Sequence, residues 1–278
     1  MIKKPLVSVL VHTKNSKRTI EEHLQSIKSQ TYKNIEIIAV DNNSTDKTVS
    51  ILKKFTKHVY NFGPERSAQR NFAAKKAKGA YLFVPDSDMV LQKDVISQCV
   101  DLVTRDKKIK AVIVPEKSIG IGFWAKCKAL ERSFYIGDET IEAARFFDKT
   151  IFWEMGGYDQ DLTGPEDWDL PQRIRKKYKI GRIKTHAIHD EGHIGIFLLM
   201  QKKYYYAKSL SNYLKKHSLS VTGRQMIYIL RPAFYRNWKK LLKNPLLTFG
   251  IIVMLSAEQC AGFCGFMFVK LGFLSSKK

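Results

Sequence analysis

Acidic residues are scarce in this sequence, and their scarcity narrows the choice of function. The 278 residues include 26 Asp and Glu but 48 Lys and Arg, which gives a formal net charge of +22 at pH 7. Such a basic chain usually meets phosphate groups, whether in nucleic acid, in anionic lipid or in a phosphorylated small molecule. The length suits one domain of about 200 residues with an appendage, or two small domains.

Cysteine is also rare, and its spacing lacks the paired pattern of a metal site. The four cysteines are Cys99, Cys127, Cys260 and Cys264. We expect reduced thiols, as in a cytosolic protein. We also expect no signal peptide, because the apolar stretch 6–11 is only six residues long before His12 and Lys14 follow.

Glycine is missing from the turn after the first predicted strand. "LVSVLV" (6–11) is an apolar run typical of a buried parallel strand, and "HTKNS" (12–16) follows it. A dinucleotide-binding turn and a P-loop both need glycines at this place. The sequence therefore excludes both of these phosphate-binding loops.

Apolar strand patterns alternate with helical patterns over the first 115 residues. Strands are predicted at 6–11, 35–40, 80–84 and 110–115, and helices at about 19–30, 44–55, 66–78 and 94–103. Thr19 and Glu22 predict a capping box on the first helix, and Gly79 a C-cap on the third. The alternation predicts an α/β fold with a parallel sheet. Ligands of such sheets bind beyond the carboxyl ends of the strands.

Two of the few acids follow the third predicted strand directly. "PDSDM" places Asp86 and Asp88 two positions apart, a D-x-D pattern. Two carboxylates at a strand end can share a hard cation such as Mg²⁺ or Mn²⁺, whose other ligands come from phosphate oxygens. The simpler alternative is a turn, which Asp and Ser both favour.

A second acid cluster, "GPEDWDL" (164–170), surrounds Trp168 with Glu166, Asp167 and Asp169. Like charges this close repel each other. The cluster therefore predicts either a helix N-terminus, whose partial positive charge tolerates acids, or a site that needs carboxylates.

The order of these motifs resembles family 2 glycosyltransferases over about residues 5–195. The matching segments are "VSVLVHTKN", "QTYKNIEIIAVDNNSTDKT", "ERSAQRNFAAKKAKGAYLFVPDSDM" and "GGYDQDLTGPEDWDL". The resemblance implies a glycosyltransferase A (GT-A) fold, a Rossmann-like sheet that binds a nucleotide-diphospho-sugar. We expect a catalytic domain at 1–200, with a nucleotide half at about 1–115 and an acceptor half at about 116–200.

The resemblance also assigns the donor site. The residues expected to bind the nucleotide-sugar are His12, Thr13, Asn15, Asp41, Asn42, Arg66, Arg70 and Asp86. The family often has two Asp residues after the second strand. Asn42 replaces the second here and can still accept through its carbonyl, but the identity of the base becomes less certain. The two arginines are expected to face the diphosphate, with a solvated helix face as the alternative.

For catalysis the resemblance implies an inverting single displacement. Asp167 is the expected general base toward the acceptor hydroxyl, and Glu166 orients the acceptor or the base. The leaving nucleoside diphosphate would be neutralised by the metal and the arginines. Trp168 and Arg145 are expected to face the acceptor. The alternatives are simple N-capping for the acids and a core position for Trp168.

Metal ligation completes the expected site. Asp88 is expected to bind Mn²⁺ or Mg²⁺ directly, and Asp86 to contact either the ribose or, through water, the metal. In "THAIHDEGH" (185–193) His189 is the first candidate for a further ligand and His193 the second. A surface or acceptor-loop histidine is the alternative for each.

The last part of the chain, 201–278, reads as a basic and amphipathic arm. Basic residues alternate with Tyr, Trp and Leu, and an apolar run at about 246–274 follows, with Glu258 near its centre. The run is long enough to span a bilayer, but it could also form a re-entrant pair, pack beside a partner or be a buried core helix. We expect the arm to meet an anionic membrane, not nucleic acid, at its cytoplasmic face.

The sequence therefore favours a metal-dependent inverting glycosyltransferase that uses a nucleotide-sugar and a lipid-linked or envelope glycan acceptor. A nucleotidyltransferase of sugar-nucleotide metabolism is one alternative. A non-catalytic basic module that binds membrane or nucleic acid is the other.

Overall fold

The computed structural model describes residues 4–217 and 225–271. The strands are β1 Val7–Thr13, β2 Ile35–Asp41, β3 Val59–Asn61, β4 Tyr81–Phe83, β5 Met89–Leu91, β6 Ile109–Ile113, β7 Glu116–Ile121, β8 Ala144–Asp148, β9 Lys179–Arg182 and β10 Ala187–His193. The helices are α1 Ile20–Lys28, α2 Thr48–Phe55, α3 Arg66–Lys76, α4 Val95–Arg105, α5 Phe123–Ser133, α6 Lys149–Glu154, α7 Glu166–Arg175, α8 Ile196–Ala207, α9 Leu210–Lys216, α10 Pro232–Arg236, α11 Lys239–Lys243 and α12 Pro245–Lys270. A 3₁₀ turn, Tyr228–Leu230, precedes α10. The end of the predicted apolar segment, 272–274, lies outside the described residues.

The main sheet has seven strands in the order β3-β2-β1-β4-β8-β6-β9. The four strands from β3 to β4 are parallel, which agrees with the prediction for β1, β2 and β4, while the short strand β3 was not predicted. Strand β8, which was not predicted, runs antiparallel to both β4 and β6. Because β8 runs the opposite way, its first residues lie at the edge where the parallel strands end. A three-stranded sheet has the order β5-β10-β7.

The sheet carries a hydrophobic core on each face. Val9 and Val11 of β1 pack with α1 and α4 residues in one cluster, while Leu10 packs with Val40 and Phe147 in another. Successive side chains of a strand point to opposite faces, so a strand covered on both sides needs apolar residues throughout. This explains the continuous apolar run at 6–11.

Two local predictions are wrong in detail. Thr19 is the N-cap residue of α1, but its side chain makes no capping hydrogen bond. Helix α3 ends at Lys76 with Ala77 as its C-cap, so Gly79 is not the cap. Gly79 instead serves close packing, since a Cβ there would lie 2.6 Å from the Ser8 Oγ.

The chain divides into two compact units. Unit 1 comprises the residues up to 116, 142–160 and 166–190, and unit 2 comprises 117–141, 161–165 and 191 onward. Unit 1 contains the seven-stranded sheet and α1–α4, α6 and α7, while α5 and α8–α12 belong to unit 2. The domain limits expected at about 115 and 200 stay predictions.

Candidate active site

Predicted site residues from five elements meet at one edge of the unit 1 sheet. The residues are His12 of β1, Arg70 of α3, Asp86 after β4, Arg145 of β8 and Asp167 of α7. The edge is the one where the parallel strands end and the antiparallel β8 begins. Local strand direction thus brings together side chains that are far apart in the sequence.

Asp86 is held by two arginines and a histidine. Arg70 Nη2 donates to its Oδ1 at 2.6 Å, and Arg145 Nη2 donates to its Oδ2 at 2.7 Å. The His12 Nε2 lies 3.3 Å from the same Oδ1. Burial raises the pKa of Asp86, but the Arg145 and Arg70 guanidiniums outweigh it and hold the pKa well below its ordinary value. Asp86 is therefore a carboxylate at any physiological pH.

Asp167 binds the same two arginines. Arg70 Nη1 donates to its Oδ1 at 2.8 Å, and Arg145 Nη1 lies 3.4 Å from its Oδ2. Burial opposes ionisation, yet the attraction of Arg70 and Arg145 lowers the pKa of Asp167. Each arginine therefore bridges the acid that follows β4 and the acid that begins α7.

Arg70 does not lie on a solvated helix face, because its side chain is fully buried. Its guanidinium carbon lies 4.9 Å from the centre of the Tyr158 ring, at cation–π distance. Burial alone would lower the pKa of Arg70, but Asp167 and Asp86 raise it. Arg66, one turn earlier, is more exposed and pairs with Glu166, whose side chain is completely buried.

A second chain of contacts leads from Arg145 to Asp88. Arg145 Nη2 donates to Glu116 Oε1 at 3.0 Å, and Glu116 Oε2 lies 3.3 Å from His189 Nδ1. The other ring nitrogen of His189, Nε2, lies 3.3 Å from Asp88 Oδ2. Burial raises the pKa of Asp88, but the contact with His189 outweighs it and lowers that pKa. Glu116 was not predicted, although it is an acid that directly follows the predicted strand 110–115.

The fit of a divalent cation can be judged from the donor atoms. Among the described residues no group of three or more His, Cys, Asp or Glu side chains forms a ready metal centre. However, Asp88 Oδ1 is buried without a hydrogen-bond partner. Together with Asp86 and His189 it offers the oxygen and nitrogen donors that Mn²⁺ or Mg²⁺ accepts. The residues present therefore fit at most a partial cation site, which would need further ligands from outside the protein. His193, the second candidate, is an exposed residue of unit 2.

Three of the residues predicted to bind the donor, Thr13, Asn15 and Asp41, are held by hydrogen bonds at the ends of β1 and β2. Thr13 Oγ1 donates to Asp41 Oδ1 at 2.7 Å, and the backbone N–H of Ser44 donates to Asp41 Oδ2 at 2.7 Å. Asn15 is exposed and accepts from the Thr45 N–H at 2.9 Å. Asp41 is thus occupied in shaping the loop that follows β2.

Asn42 and Gln69 make hydrogen bonds that join the ends of β1 and β2 to the segments that follow β3. Asn42 is buried, and its side-chain amide donates to the Pro64 carbonyl. Gln69 Nε2 donates to the carbonyls of Thr13 at 3.0 Å and Val40 at 2.8 Å, which bridges β1 and β2. No sequence pattern pointed to Gln69, because its partners are backbone atoms of other elements.

The remaining predicted residues lie on α7 and β8. Trp168 is half-buried on α7, next to Asp169, which pairs with Arg173 at 2.6 Å. Arg173 in turn donates to the Gly157 carbonyl at 2.8 Å, so this pair fixes the helix to the preceding loop. Arg145, expected to face the acceptor, is 4% exposed and contacts three carboxylates.

Comparison with known proteins decides the family. The family described as Glycosyl transferase family 2 matches residues 8–159, which is more than half of the chain. The chain belongs to glycosyl transferase family 2. The match of this family 2 protein includes β1 to β4 and the acids after β4, and it ends before α7.

Curated relatives of this family 2 protein include bacterial glycosyltransferases. Glycosyltransferase GlyA of Streptococcus pneumoniae is 27% identical over 232 residues, 77% of this chain and 31% of that protein. The UDP-Glc:alpha-D-GlcNAc-diphosphoundecaprenol beta-1,3-glucosyltransferase WfaP of Escherichia coli is 42% identical over 88 residues, 30% of this chain and 35% of that protein. The chain thus spans about a third of the length of these relatives.

Solved structures confirm the fold. The mannosyltransferase PcManGT from Pyrobaculum calidifontis, in complex with GDP-Man and Mn²⁺, superposes with a TM-score of 0.68 at 16% identity, covering 99% of this chain and 89% of that one. S. aureus TarS 1–349 in complex with UDP-GlcNAc gives a TM-score of 0.53 at 17% identity, covering 96% and 91%. The predicted GT-A fold is confirmed.

Proposed function

We propose that this protein is a metal-dependent inverting glycosyltransferase that moves a sugar from a nucleotide-sugar to a hydroxyl acceptor, with Asp167 as the general base. One observation carries the proposal. Asp86, the expected donor-side acid, and Asp167, the expected base, are bridged by the same two buried arginines. The donor and acceptor chemistry therefore belong to one site within unit 1.

Asp167 suits the role of base better than Glu166. The Asp167 side chain is 18% exposed, whereas that of Glu166 is wholly buried and pairs with Arg66. A base must reach the hydroxyl that it deprotonates. Asp167 takes this proton as the acceptor oxygen attacks the anomeric carbon, and the nucleoside diphosphate leaves from the opposite face, which inverts the configuration. Glu166 orients the start of α7 through Arg66.

The two bridging arginines couple donor binding to the base. The ion pairs with Arg70 and Arg145 depress the pKa of Asp167, which weakens it as a base. A guanidinium binds phosphate oxygens as it binds a carboxylate, so a donor diphosphate that reaches the buried Arg70 must displace Asp167 from it. Loss of that contact frees Asp167 and raises its pKa toward the ordinary value. The base thus becomes active when donor is present.

A divalent cation completes the proposal. Asp88, Asp86 and His189 would hold Mn²⁺ or Mg²⁺, which supplies positive charge against the diphosphate leaving group. Arg145 holds Asp86, Asp167 and Glu116 in position. The Mn²⁺ in the PcManGT complex supports this choice of cofactor.

The classes of donor and acceptor are inferred from the relatives and the solved structures. The solved neighbours carry GDP-Man or UDP-GlcNAc, so the donor is a nucleotide-sugar bound over Thr13, Asn15, Asp41 and Asn42. The printed name of WfaP contains a diphosphoundecaprenol acceptor. We place the acceptor in the same class, a lipid-linked glycan precursor, at the cytoplasmic face of the membrane. Trp168 is the aromatic side chain of α7 that can stack on the acceptor sugar.

The test is a panel of UDP-, GDP- and dTDP-sugars with purified protein and Mn²⁺, Mg²⁺ or EDTA. We expect one donor to bind only with metal and to release its nucleoside diphosphate slowly. Asp167→Asn should still bind that donor but lose transfer by about 10²–10⁴-fold, the usual contribution of a general base. Asp101→Asn, the same change at an exposed position of α4, should match wild type. Full transfer by the Asp167→Asn protein would refute the base, and metal-independent donor binding would refute the cation.

A further inference from the structure

One side of helix α12 is built to contact protein. Its buried residues include Ile251, Met254, Glu258, Ala261 and Gly265. These positions are three or four residues apart, so they form one stripe along the helix. The stripe packs against α8 and α5, which belong to the same unit.

Two glycines make this packing specific at both ends of the stripe. A Cβ at Gly250 would lie 2.5 Å from Cys127 Sγ of α5. A Cβ at Gly265 would collide with the Tyr204 carbonyl oxygen of α8. No larger residue fits either position without movement of the backbone or a core side chain. Helix α12 therefore packs closely against α5 and α8, the neighbouring helices of unit 2, along most of its length.

The acid in the middle of α12 is paired inside unit 2. Glu258 is 3% exposed, Lys128 Nζ donates to its Oε1 at 3.0 Å, and the Tyr228 hydroxyl donates to its Oε2. Lys128 also pairs with Glu131 at 3.1 Å. If α12 crossed a bilayer in this packing, these charged groups of α5 would lie at the hydrocarbon centre, the costliest place for an ion. The structure thus argues against a spanning helix.

The opposite side of α12 is exposed and apolar. Among the described residues α12 is the one helix with the length and composition to cross a membrane, yet only 28% of its most apolar window is buried. Phe249 is 65% and Phe263 61% exposed. Leu246 and Ile252 are further large apolar side chains exposed on this helix. The sequence has no charged residue on this side between Lys243 and Lys270. So long an uncharged apolar surface marks an interface with lipid or protein.

Basic residues flank this apolar surface. Residues 194–278 contain fourteen Lys and Arg and a single acid, Glu258, which is buried. Lys239 and Lys243 precede α12, Lys270 ends it, and Trp238, 52% exposed, adjoins the basic pair. An apolar stripe bordered by cations and an interfacial aromatic matches an anionic lipid surface.

From these observations we infer that α12 lies in the plane of an anionic membrane, with its exposed side in lipid and its buried side on unit 2, and does not span the bilayer. The occupant of the apolar surface is lipid because lipid supplies both the apolar area and the negative charge. The inference deepens the proposed membrane location and does not depend on the donor, the metal or Asp167. Its tests measure location and not sugar transfer, so the two proposals fail separately.

The natural cysteines allow a direct test. Cys260 and Cys264 are exposed on α12, whereas Cys99 and Cys127 are buried. We expect vesicles of phosphatidylcholine and phosphatidylglycerol in equal parts to slow labelling of the two exposed thiols by a water-soluble maleimide several-fold. Vesicles of phosphatidylcholine alone should protect them much less. Equal labelling with and without anionic vesicles would overturn the inference. Protection that needs no lipid but rises with protein concentration would show that a second copy covers the surface.

Variants identify the surface and its orientation. Phe249→Gln with Phe263→Gln should abolish vesicle binding without changing the melting temperature, because both side chains point away from the protein. Phe62→Gln, the same change at a 41% exposed residue of unit 1, should bind as wild type. In inverted membrane vesicles a C-terminal tag should be cleaved by added protease, on the side where unit 1 is also accessible. A tag protected inside the vesicles would show a spanning helix and overturn the inference.

Discussion

The buried ion pairs of unit 1 and those of unit 2 are made of the same kinds of side chain. They differ in whether their buried polar atoms all have hydrogen-bond partners. In unit 1, buried polar atoms of His12, Arg70 and Asp88 have no hydrogen-bond partner. In unit 2, within the described residues, Lys128 and Glu258 leave no such atom. Buried polar groups are normally satisfied, and unsatisfied ones are expected where a ligand completes the set. The ion-pair cluster of unit 1 thus keeps unsatisfied polar atoms, whereas the Lys128–Glu258 pair of unit 2 does not.

The unit 2 network is continuous. Arg231 Nη1 donates to the Tyr135 hydroxyl at 2.6 Å, and this hydroxyl donates to Glu131 Oε1 at 2.5 Å. Glu131 then shares Lys128 with Glu258. Glu258 is the member of this network that lies on α12, and Lys128 and the Tyr228 hydroxyl both donate to it, so the network anchors the helix.

The largest loss of stability and activity should come from replacing Arg145, which binds three carboxylates of unit 1. Arg145→Met leaves Asp86, Asp167 and Glu116 without a shared cation. Removal of one partner from a buried ion pair costs about 3–5 kcal/mol, so we expect both a lower melting temperature and loss of donor-dependent transfer. Arg145→Lys keeps the charge without the two-pronged geometry and should recover more stability than activity. Wild-type activity in the Met variant would contradict the positioning role of Arg145.

The next largest effect should come from Glu258 in unit 2. Glu258→Gln leaves the Lys128 charge only partly compensated, and we expect a loss of about 3 kcal/mol in unfolding free energy, with sugar transfer per folded molecule unchanged. The measurement is denaturant unfolding beside steady-state transfer. Glu139→Gln removes an exposed acid of the same unit and serves as the control. Increased stability of the Glu258→Gln protein would show that α12 is not held through this pair.

The pH dependence of unit 2 should follow Glu131. Burial opposes ionisation, but Lys128 and Arg231 lower the pKa of Glu131 from 4.5 to about 2. A lowered pKa means that the unfolded state binds the proton first, so the stability is present above about pH 4.5 and is lost as pH falls toward 2. The loss is on the order of 3 kcal/mol. Melting curves over this range should be steeper in pH for wild type than for Glu131→Gln, and equal slopes would contradict the assignment.

The smallest effect should distinguish two glycines of α12. Gly265→Ala should destabilise by about 1–3 kcal/mol, since the added methyl group meets the Tyr204 backbone. Gly262→Ala places its methyl group 3.4 Å from Lys203 Cγ, an ordinary contact. Alanine favours a helix over glycine by up to about 1 kcal/mol, so this control should be neutral or stabilising. Thermal melting measures both variants, and equal shifts would show that α12 does not pack closely on α8.

Much of the fold was predictable from local pattern. The parallel strands β1, β2 and β4 were recognised because residues buried on both faces of a sheet are continuously apolar. Helix α4 was recognised from its helical spacing, and α7 from the acids in its first turn. Strand β8 was missed because the region around it has no distinct period, and its antiparallel direction depends on the path of the chain before it.

The site was predictable in part. The acidic site residues could be predicted because acids are rare in this basic chain. They are Asp86, Asp88, Glu166 and Asp167. Glu116 and Gln69 could not be predicted, because nothing near them in the sequence indicates their partners. Glu116 contacts His189, and Gln69 donates to backbone carbonyls at the ends of β1 and β2. Asp41 was expected to bind the nucleotide-sugar, and the structure shows in addition that it accepts a hydrogen bond from the Ser44 N–H. Their roles toward substrate stay predictions.

The sequence by itself determined the family, the parallel strands of the first half of the fold, the basic arm and the apolar length of α12. Only the tertiary structure decided that Arg70 joins Asp86 to Asp167, 97 positions away, and that Glu258 turns inward to Lys128, 130 positions away. Helical and strand periods report which side of one element is buried. An ion pair depends on where two elements meet, and that is set by the packing of the whole chain.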